Sequence, residues 1–440
     1  MEQWTTGDKF PNNPNINPQW TIQGDYGFLH VYAFTMTLGV IVTIAISAFK
    51  FWRKGLSLRE LLIGACLSVP AGLFGASFFG KLNADGYGKN ANGASFFELF
   101  AFWKEGMSIH GALFLGGFVG ILIFYILGRK QRVSVLVYMD CILPNILIGQ
   151  AIGRWGNFYN HEIFGKPVWD VSSHSPNPLN WLPEFLRVNT QFKYTGSGGE
   201  FINGIEMING HTYQMQPIFF YESIALFLAW IVITVFIPGI GRWISKKPWN
   251  LHPETYQLDL KYSFKHAFTW KKDAEKQTYF EVWKKAFYSN NNEQAIKKYK
   301  EEITKLQGTN SLANKWKKGK MLVDANNPDN YKIIKAGVEA GAYFFLWNLI
   351  RFVLELGRPN DHLFLIYLPT ASYIAVGLTS LFGLLFMLVS QFIFPNLIRT
   401  PGYVYEKEYF YTEEVIDKMT SQESKLKKVL TKVISKKKSK

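Results

Sequence analysis

Residues 135–165 read VLVYMDCILPNILIGQAIGRWGNFYNHEIFG, and the stretch 135–153 is apolar for long enough to cross a bilayer. A long polar loop follows it. Residues 149–165 therefore crowd Arg154, Asn157, Asn160 and Glu162, with several glycines, where a hydrophobic segment meets water. Moving a charged side chain toward the bilayer centre costs at least ~2.5–3.5 kcal/mol, so a charge at that depth faces a cavity or a partner. A lone Arg there reads as a snorkelling anchor. Four polar groups and the glycines together read as a site.

Working outward, the 440 residues are 48% hydrophobic and 17% aromatic, with a net charge of +15. Seven apolar stretches stand out: 28–49, 60–80, 108–127, 135–153, 217–237, 338–356 and 371–394. The expected class is an all-α polytopic membrane protein with about seven transmembrane helices. The first stretch has no basic region before it and is read as a retained span rather than a signal peptide. Cys66 and Cys141 both fall inside spans, which excludes a disulfide framework or a Cys-based metal site.

Orientation follows from the basic residues. Loop 50–59 carries Lys50, Arg53, Lys54 and Arg59; loop 128–134 carries Arg129, Lys130 and Arg132. Loops 81–107 and 154–216 have no such surplus. The N-terminus is thus expected outside and the C-terminus in the cytoplasm, with 149–165 at the outer face. The organisation expected is an outer lead-in over 1–27, spans 1–5 over 28–241 with outer loop 154–216, a cytoplasmic insert over 242–335, spans 6–7 over 336–395 and a basic helical tail over 396–440. The insert holds 20 Lys/Arg against 10 Asp/Glu. It reads as a small solvated helical module; its basic and aromatic residues also suit anionic lipid or RNA, while for the protein as a whole no nucleic-acid partner is expected.

Other polar residues fall at telling depths. Tyr32 lies in span 1, and its hydroxyl needs a partner. Gly72, Gly75, Ala76 and Gly80 let span 2 approach a neighbour closely. Phe96, Phe97, Phe100, Phe102 and Trp103 before span 3 suit an interfacial segment. His110 lies about one turn into span 3, and Asp140 near the start of span 4 reads as a helix-start acid favoured by the dipole. Pro217 opens span 5, followed by Tyr221 and Glu222, a carboxylate in need of a cation. In span 6, Arg351 and Glu355 are spaced for pairing on one face, and Arg358 follows Arg351 by two turns. Span 7 reads as featureless.

Topology gathers His110, Arg154, Asn157, Asn160, Glu162, Glu222, Arg351, Glu355 and Arg358 at the outer half of one bundle. Guanidinium forks match phosphate oxygens and never deprotonate, while the acids hold the forks in place. Residues alone thus point to a membrane site for an anionic lipid head group. A transporter or flippase for an anion, and a scaffold acting through the insert, remain alternatives. His161-Glu162 lacks the second histidine of a zinc peptidase, and neither a nucleophile elbow nor a phosphate-binding Gly-Lys-Ser/Thr loop occurs.

Gly153-Arg154-Trp-Gly156-Asn157-Phe158-Tyr-Asn160-His-Glu162-Ile-Phe-Gly165 resembles the signature of the bacterial prolipoprotein diacylglyceryl transferase family, Gly-Arg-x-Gly-Asn-Phe-x-Asn-x-Glu-x-x-Gly, at every fixed position. Ser108-Ile-His110-Gly111 resembles that family's His-Gly motif, with Ala112 where a second Gly is usual. Tyr32, Pro217 with Tyr221-Glu222, and Arg351 through Arg358-Pro resemble further motifs in the right order. The likeness covers about 28–240 and 338–395 and omits the insert and tail. Ser77 stands where the family often has a basic residue.

The resemblance implies transfer of an sn-1,2-diacylglyceryl group from phosphatidylglycerol to the lipobox cysteine of a prolipoprotein signal peptide, with glycerol 1-phosphate leaving. It places the protein in the bacterial cell membrane, active site outward, with no cofactor or metal. Arg154 and Arg351 would stabilise the departing phosphate, and Asn157 and Asn160 would orient them and the head group. Glu162, Glu222 and Glu355 would hold the arginines, and Tyr32, Tyr221 and Arg358 would line the substrate site. A free thiol has a pKa near ~8.5, so His110 is a candidate base. The alternative is that the arginine field activates the thiol and His110 positions lipid.

Overall fold

The computed structural model describes residues 4–5, 22–85, 96–101, 107–269, 276–288, 293–306, 311–358, 363–365 and 368–410. Most of the 1–27 lead-in, Phe102, Trp103, Trp270 and the tail beyond 410 lie outside the described residues. Among the described residues there are eight short strands: β1 (Trp4–Thr5), β2 (Asp25–Tyr26), β3 (Leu29–His30), β4 (Pro167–Asp170), β5 (Gln191–Tyr194), β6 (Phe201–Ile202), β7 (Ile205–Glu206) and β8 (Thr212–Met215). The helices of the first half are α1 (Val31–Arg53), α2 (Leu58–Asp85), α3 (Ile109–Gln131), α4 (Val135–Tyr159), α5 (Glu184–Val188), α6 (Ile218–Ile231) and α7 (Ile237–Ile244). Then come α8 (Pro248–Leu251), α9 (Leu260–Thr269), α10 (Tyr279–Tyr288), α11 (Glu293–Thr304), α12 (Leu312–Ala325), α13 (Val338–Glu355), α14 (Pro369–Phe392) and α15 (Phe394–Leu397).

Among the described residues, six helical stretches are long and apolar enough to cross a membrane: α1, α2, α3, α4, α14 and the stretch Ile218–Leu251. The chain is a helical, multi-pass membrane protein. The seventh expected span, α13, carries Glu339, Arg351 and Glu355 and so falls short of a span by composition. It is nonetheless a continuous helix packed against α4, α6 and α14, with Arg351 and Glu355 buried. Between α6 and α7 the helix widens into a π turn over Val232–Phe236, just before Pro238. Proline lacks an N–H and its ring crowds the preceding turn, which a wider turn relieves.

Small residues set the close packing, because lipid tails supply no hydrophobic drive between helices. A Cβ on Gly39 of α1 would lie 2.5 Å from the carbonyl oxygen of Gly149 on α4, and one on Gly156 would lie 2.2 Å from Thr35 Oγ1. The signature glycines thus bring α1, with Tyr32, against α4. Gly75 and Gly111 do the same for α2 and α3, each 2.4 Å from the other's carbonyl oxygen by the same measure.

Asp140 does not serve its own helix. Its carboxylate accepts from Gly337 N at 2.8 Å and Ala340 N at 2.9 Å, capping the start of α13. The helix dipole rewards a carboxylate there just as it would on α4. This ties the beginnings of α4 and α13 together, so both run the same way and end at the same face.

At that face the loop after α4 folds into a cap. Strands β1-β5-β8-β4 form an antiparallel sheet, with β2-β3 and β6-β7 as separate hairpins. Phe158, Phe164, Leu186, Phe192, Tyr194, Tyr213 and Phe219 make its core. At the opposite end α8–α12 fold as short helices. One core there, built on Tyr256, Val282, Trp283, Ala286 and Tyr331, is internal to the insert. A second combines Tyr299 and Leu322 with Phe51, Tyr138, Tyr405 and Tyr409. Residues 399–410 are therefore folded into the junction rather than laid helically on a surface. Glu406 pairs with Arg399 at 2.9 Å and Lys335 at 3.3 Å, and Lys407 Nζ donates to the carbonyl of Phe287 at 3.0 Å.

Candidate active site

Four helix ends converge beneath the cap. Arg154 lies in the last turns of α4, Arg351 and Glu355 in the last turn of α13, Glu222 in the second turn of α6 and His110 in the first turn of α3. The carboxylate of Glu222 is the hub. Its Oε1 lies 2.8 Å from Arg154 Nη2 and 4.0 Å from Arg351 Nη1, and its Oε2 lies 2.7 Å from Arg358 Nη2. Arg351 Nε is 2.9 Å from Glu355 Oε2, a charge contact outside hydrogen-bonding geometry. Glu355 Oε1 accepts from Ser372 Oγ at 2.7 Å and from the backbone N–H of Phe364.

The signature loop supplies a second layer. Arg154 Nη1 donates to Asn157 Oδ1 at 3.4 Å; Asn157 and Asn160 donate to Glu162 at 3.0 and 3.4 Å. The chain turns sharply here, with His161 at φ 52° and Ile163 at φ 58°. A β-branched residue in the left-handed region is strained, and such strain persists only where surroundings impose it. Ile163 O accepts from Phe219 N at 3.2 Å, and Glu162 N donates to Asn157 O at 2.8 Å. His161 is buried and lies 3.4 Å from the carbonyls of Asn189 and Ile22, so it is a structural residue of the cap.

Three guanidinium groups, those of Arg154, Arg351 and Arg358, touch two carboxylates, those of Glu222 and Glu355, and the third carboxylate of the network, Glu162, stands behind Asn157 and Asn160. The Nε atoms of Arg154 and Arg358 are buried and have no hydrogen-bond acceptor among the described residues. Donors of that kind cost free energy unless an acceptor completes them, and a phosphate supplies both acceptors and charge. His110 packs against Phe364 at 4.2 Å and Trp347 at 5.0 Å between tilted ring centroids, within the electrostatic reach of all three arginines and Glu222. Its Nε2 is buried and unbonded among the described residues.

Residues 24–247 match the family model for prolipoprotein diacylglyceryl transferase, half of the chain. The chain belongs to the prolipoprotein diacylglyceryl transferase family. Two similar relatives, from Streptococcus pneumoniae strain Hungary19A-6 and from serotype 19F strain G54, are each a phosphatidylglycerol–prolipoprotein diacylglyceryl transferase, 27% identical over 206 residues. The match covers 47% of this chain and 65% of each relative.

Most residues singled out by the transferase motifs come together. Arg154, Asn157, Asn160, Glu162, Glu222, Arg351, Glu355 and Arg358 form one connected network, and His110 faces it. Tyr32 stands close to Glu162 and Arg154 through the α1–α4 contact. Tyr221 does not join: no hydrogen bond or ion pair ties it to the cluster among the described residues, and its ring contact is with Phe220. Pro359 of the last motif lies outside the described residues. Where the family often has a basic side chain and this chain has Ser77, Lys81 of the next turn places Nζ 3.0 Å from Ser77 Oγ. Ser372, in the span read as featureless, contacts the cluster through Glu355 and was missed by the sequence reading; a lone serine in an apolar helix is too common a signal to single out.

Proposed function

We propose that the protein transfers the sn-1,2-diacylglyceryl group of phosphatidylglycerol to the lipobox cysteine of a prolipoprotein signal peptide, at the outer face of the bacterial cell membrane. The observation that carries this reading is the gathering of three guanidinium groups around the buried Glu222, two of them with an Nε that has no acceptor among the described residues, in a chain of this family. The thiol sulfur attacks the glyceryl carbon, the bond from that carbon to the phosphate oxygen breaks, a thioether forms and glycerol 1-phosphate departs.

Arg154 and Arg351, from different helices, grip the phosphate and stabilise the charge that grows on its leaving oxygen. Losing one such preorganised donor typically costs roughly 10²–10³ in turnover. Arg358 and Glu222 fix the angle between the two forks, and Asn157, Asn160 and Glu162 orient Arg154 from the loop side. Glu355, held by Ser372, orients Arg351. Tyr32 and Tyr221 line the lipid approach. His110 takes the thiol proton. In this reading α13 crosses the bilayer as a seventh span, sheltered inside the bundle, with its arginines outward.

The test is to incubate the purified protein with phosphatidylglycerol and a lipobox peptide and to weigh the peptide. The expected result is a diacylglyceryl adduct on cysteine. Folded protein that leaves the peptide mass unchanged overturns the reading.

A further inference from the structure

The insert carries an apolar surface that the transferase site does not use. On α9, Leu260 and Phe264 stand four residues apart, hence on one face, and are 67% and 71% exposed. Lys261 and Lys265 repeat that spacing beside them and are also exposed. Tyr279 N donates to Ser263 Oγ at 2.9 Å and Lys276 pairs with Asp259 at 3.1 Å, which holds α9 against the start of α10. Next on α10 comes Phe280, 56% exposed.

The position of Phe280 gives this surface its level. Arg242 of α7 lies over its ring, 5.1 Å from the centroid. Arg242 also feels the charge of Arg53, the last residue of α1. Two membrane-crossing stretches therefore bring their basic ends to one place, beside the exposed Trp243 and Ile244. Phe280 therefore lies against the basic end of α7, and α9 with its Leu260–Phe264 ridge is bonded to the start of α10 beside it.

We propose that α9 and the start of α10 lie on the bilayer surface as a peripheral contact, with anionic lipid as the partner. A helix lying in the interface shows this arrangement, with an apolar ridge entering the acyl boundary and lysines beside it at the head groups. Continuity with the ends of α1 and α7 selects lipid over a soluble partner. The proposal rests on the chain being a membrane protein and is independent of the transferase chemistry.

The experiment uses the full chain with Cys66→Ser and Cys141→Ala, and one spin label at a time at Phe264→Cys, at Phe280→Cys and, as a reference, at Lys298→Cys on exposed α11. Each protein goes into nanodiscs of phosphatidylcholine, with and without phosphatidylglycerol. Collisions with oxygen, which concentrates in lipid, are compared with collisions with a water-soluble nickel chelate. At 264 and 280 oxygen should win severalfold in the anionic discs, and at 298 the chelate should win. Adding Lys261→Glu and Lys265→Glu should return position 264 to the chelate. Chelate access at 264 and 280 overturns the proposal, as does protection from both reagents, which marks a protein or nucleic-acid cover. Equal profiles with and without phosphatidylglycerol overturn the role given to the lysines.

Discussion

Glu222 Oε1 lies 2.8 Å from Arg154 and, at 4.0 Å, within reach of Arg351, so one carboxylate sets the distance between guanidinium groups from two helices nearly 200 residues apart in the chain. In the proposed function, one lipid phosphate meets both forks there.

The central place of Glu222 makes an asymmetric prediction. Glu222→Gln takes the ion-pair partner from both Arg154 and Arg358, and stranding buried charge in this way costs about 3–5 kcal/mol. Arg358→Gln instead leaves Glu222 paired with Arg154. Thermal unfolding in detergent should show a much larger drop for Glu222→Gln than for Arg358→Gln. Equal drops would mean that Glu222 is not the hub of the cluster.

A base role for His110 has its own signature. His110→Gln should slow transfer strongly at neutral pH. The deficit should shrink as pH rises through the thiol's ~8.5, where thiolate forms unaided. Rates measured from pH 6.5 to 9 decide the matter, and a deficit constant over that range assigns His110 to lipid positioning.

Asp140 caps the start of α13, the helix that carries Arg351 near its other end. Asp140→Ala leaves the N–H groups of Gly337 and Ala340 without their acceptor, at a cost of about 1–3 kcal/mol each. The expected outcome is lower thermal stability, with faster amide exchange at the start of α13 than at the start of α14. Unchanged exchange there would contradict the capping role.

The junction of 399–410 with the insert is pH-sensitive. Glu408 is buried without a partner among the described residues, and burial pushes its carboxyl up to about 7. Its folded value lies above its unfolded one, so its contribution is complete below the unfolded value and is lost as pH rises through about 7. Glu406 is the opposite case: Arg399 and Lys335 outweigh burial and hold it down at about 2, so its contribution fades only in strong acid. Between pH 5 and 7.5 the thermal midpoint should fall in the native protein and fall less in Glu408→Gln. Parallel curves would remove Glu408 as the cause.

Much of the site was legible because its residues are dense and local. Arg154 through Glu162 follow one another through the end of α4 and the turn after it, and the pairing of Arg351 with Glu355 follows from their spacing. What stayed hidden depends on partners far away in sequence. Asp140 reads as a cap for its own helix, and only the packing of α13 shows whose N–H groups it takes. Ser372 gives no signal until α14 lies against Glu355. The tail looks like a basic surface helix by composition, yet Tyr405 and Tyr409 are buried with Tyr299 of the insert and Phe51 of α1. Tertiary packing overrides local pattern in each case.

The central claim, that guanidinium groups from α4 and α13 jointly hold a lipid phosphate, is tested most directly by native mass spectrometry of bound lipid. Retention of phosphatidylglycerol is compared with that of diacylglycerol, which has the same tails and no phosphate. The native protein should prefer phosphatidylglycerol, and Arg154→Gln or Arg351→Gln should each reduce that preference by about tenfold or more, the order of one charge-assisted contact. A preference untouched by either substitution would contradict the account.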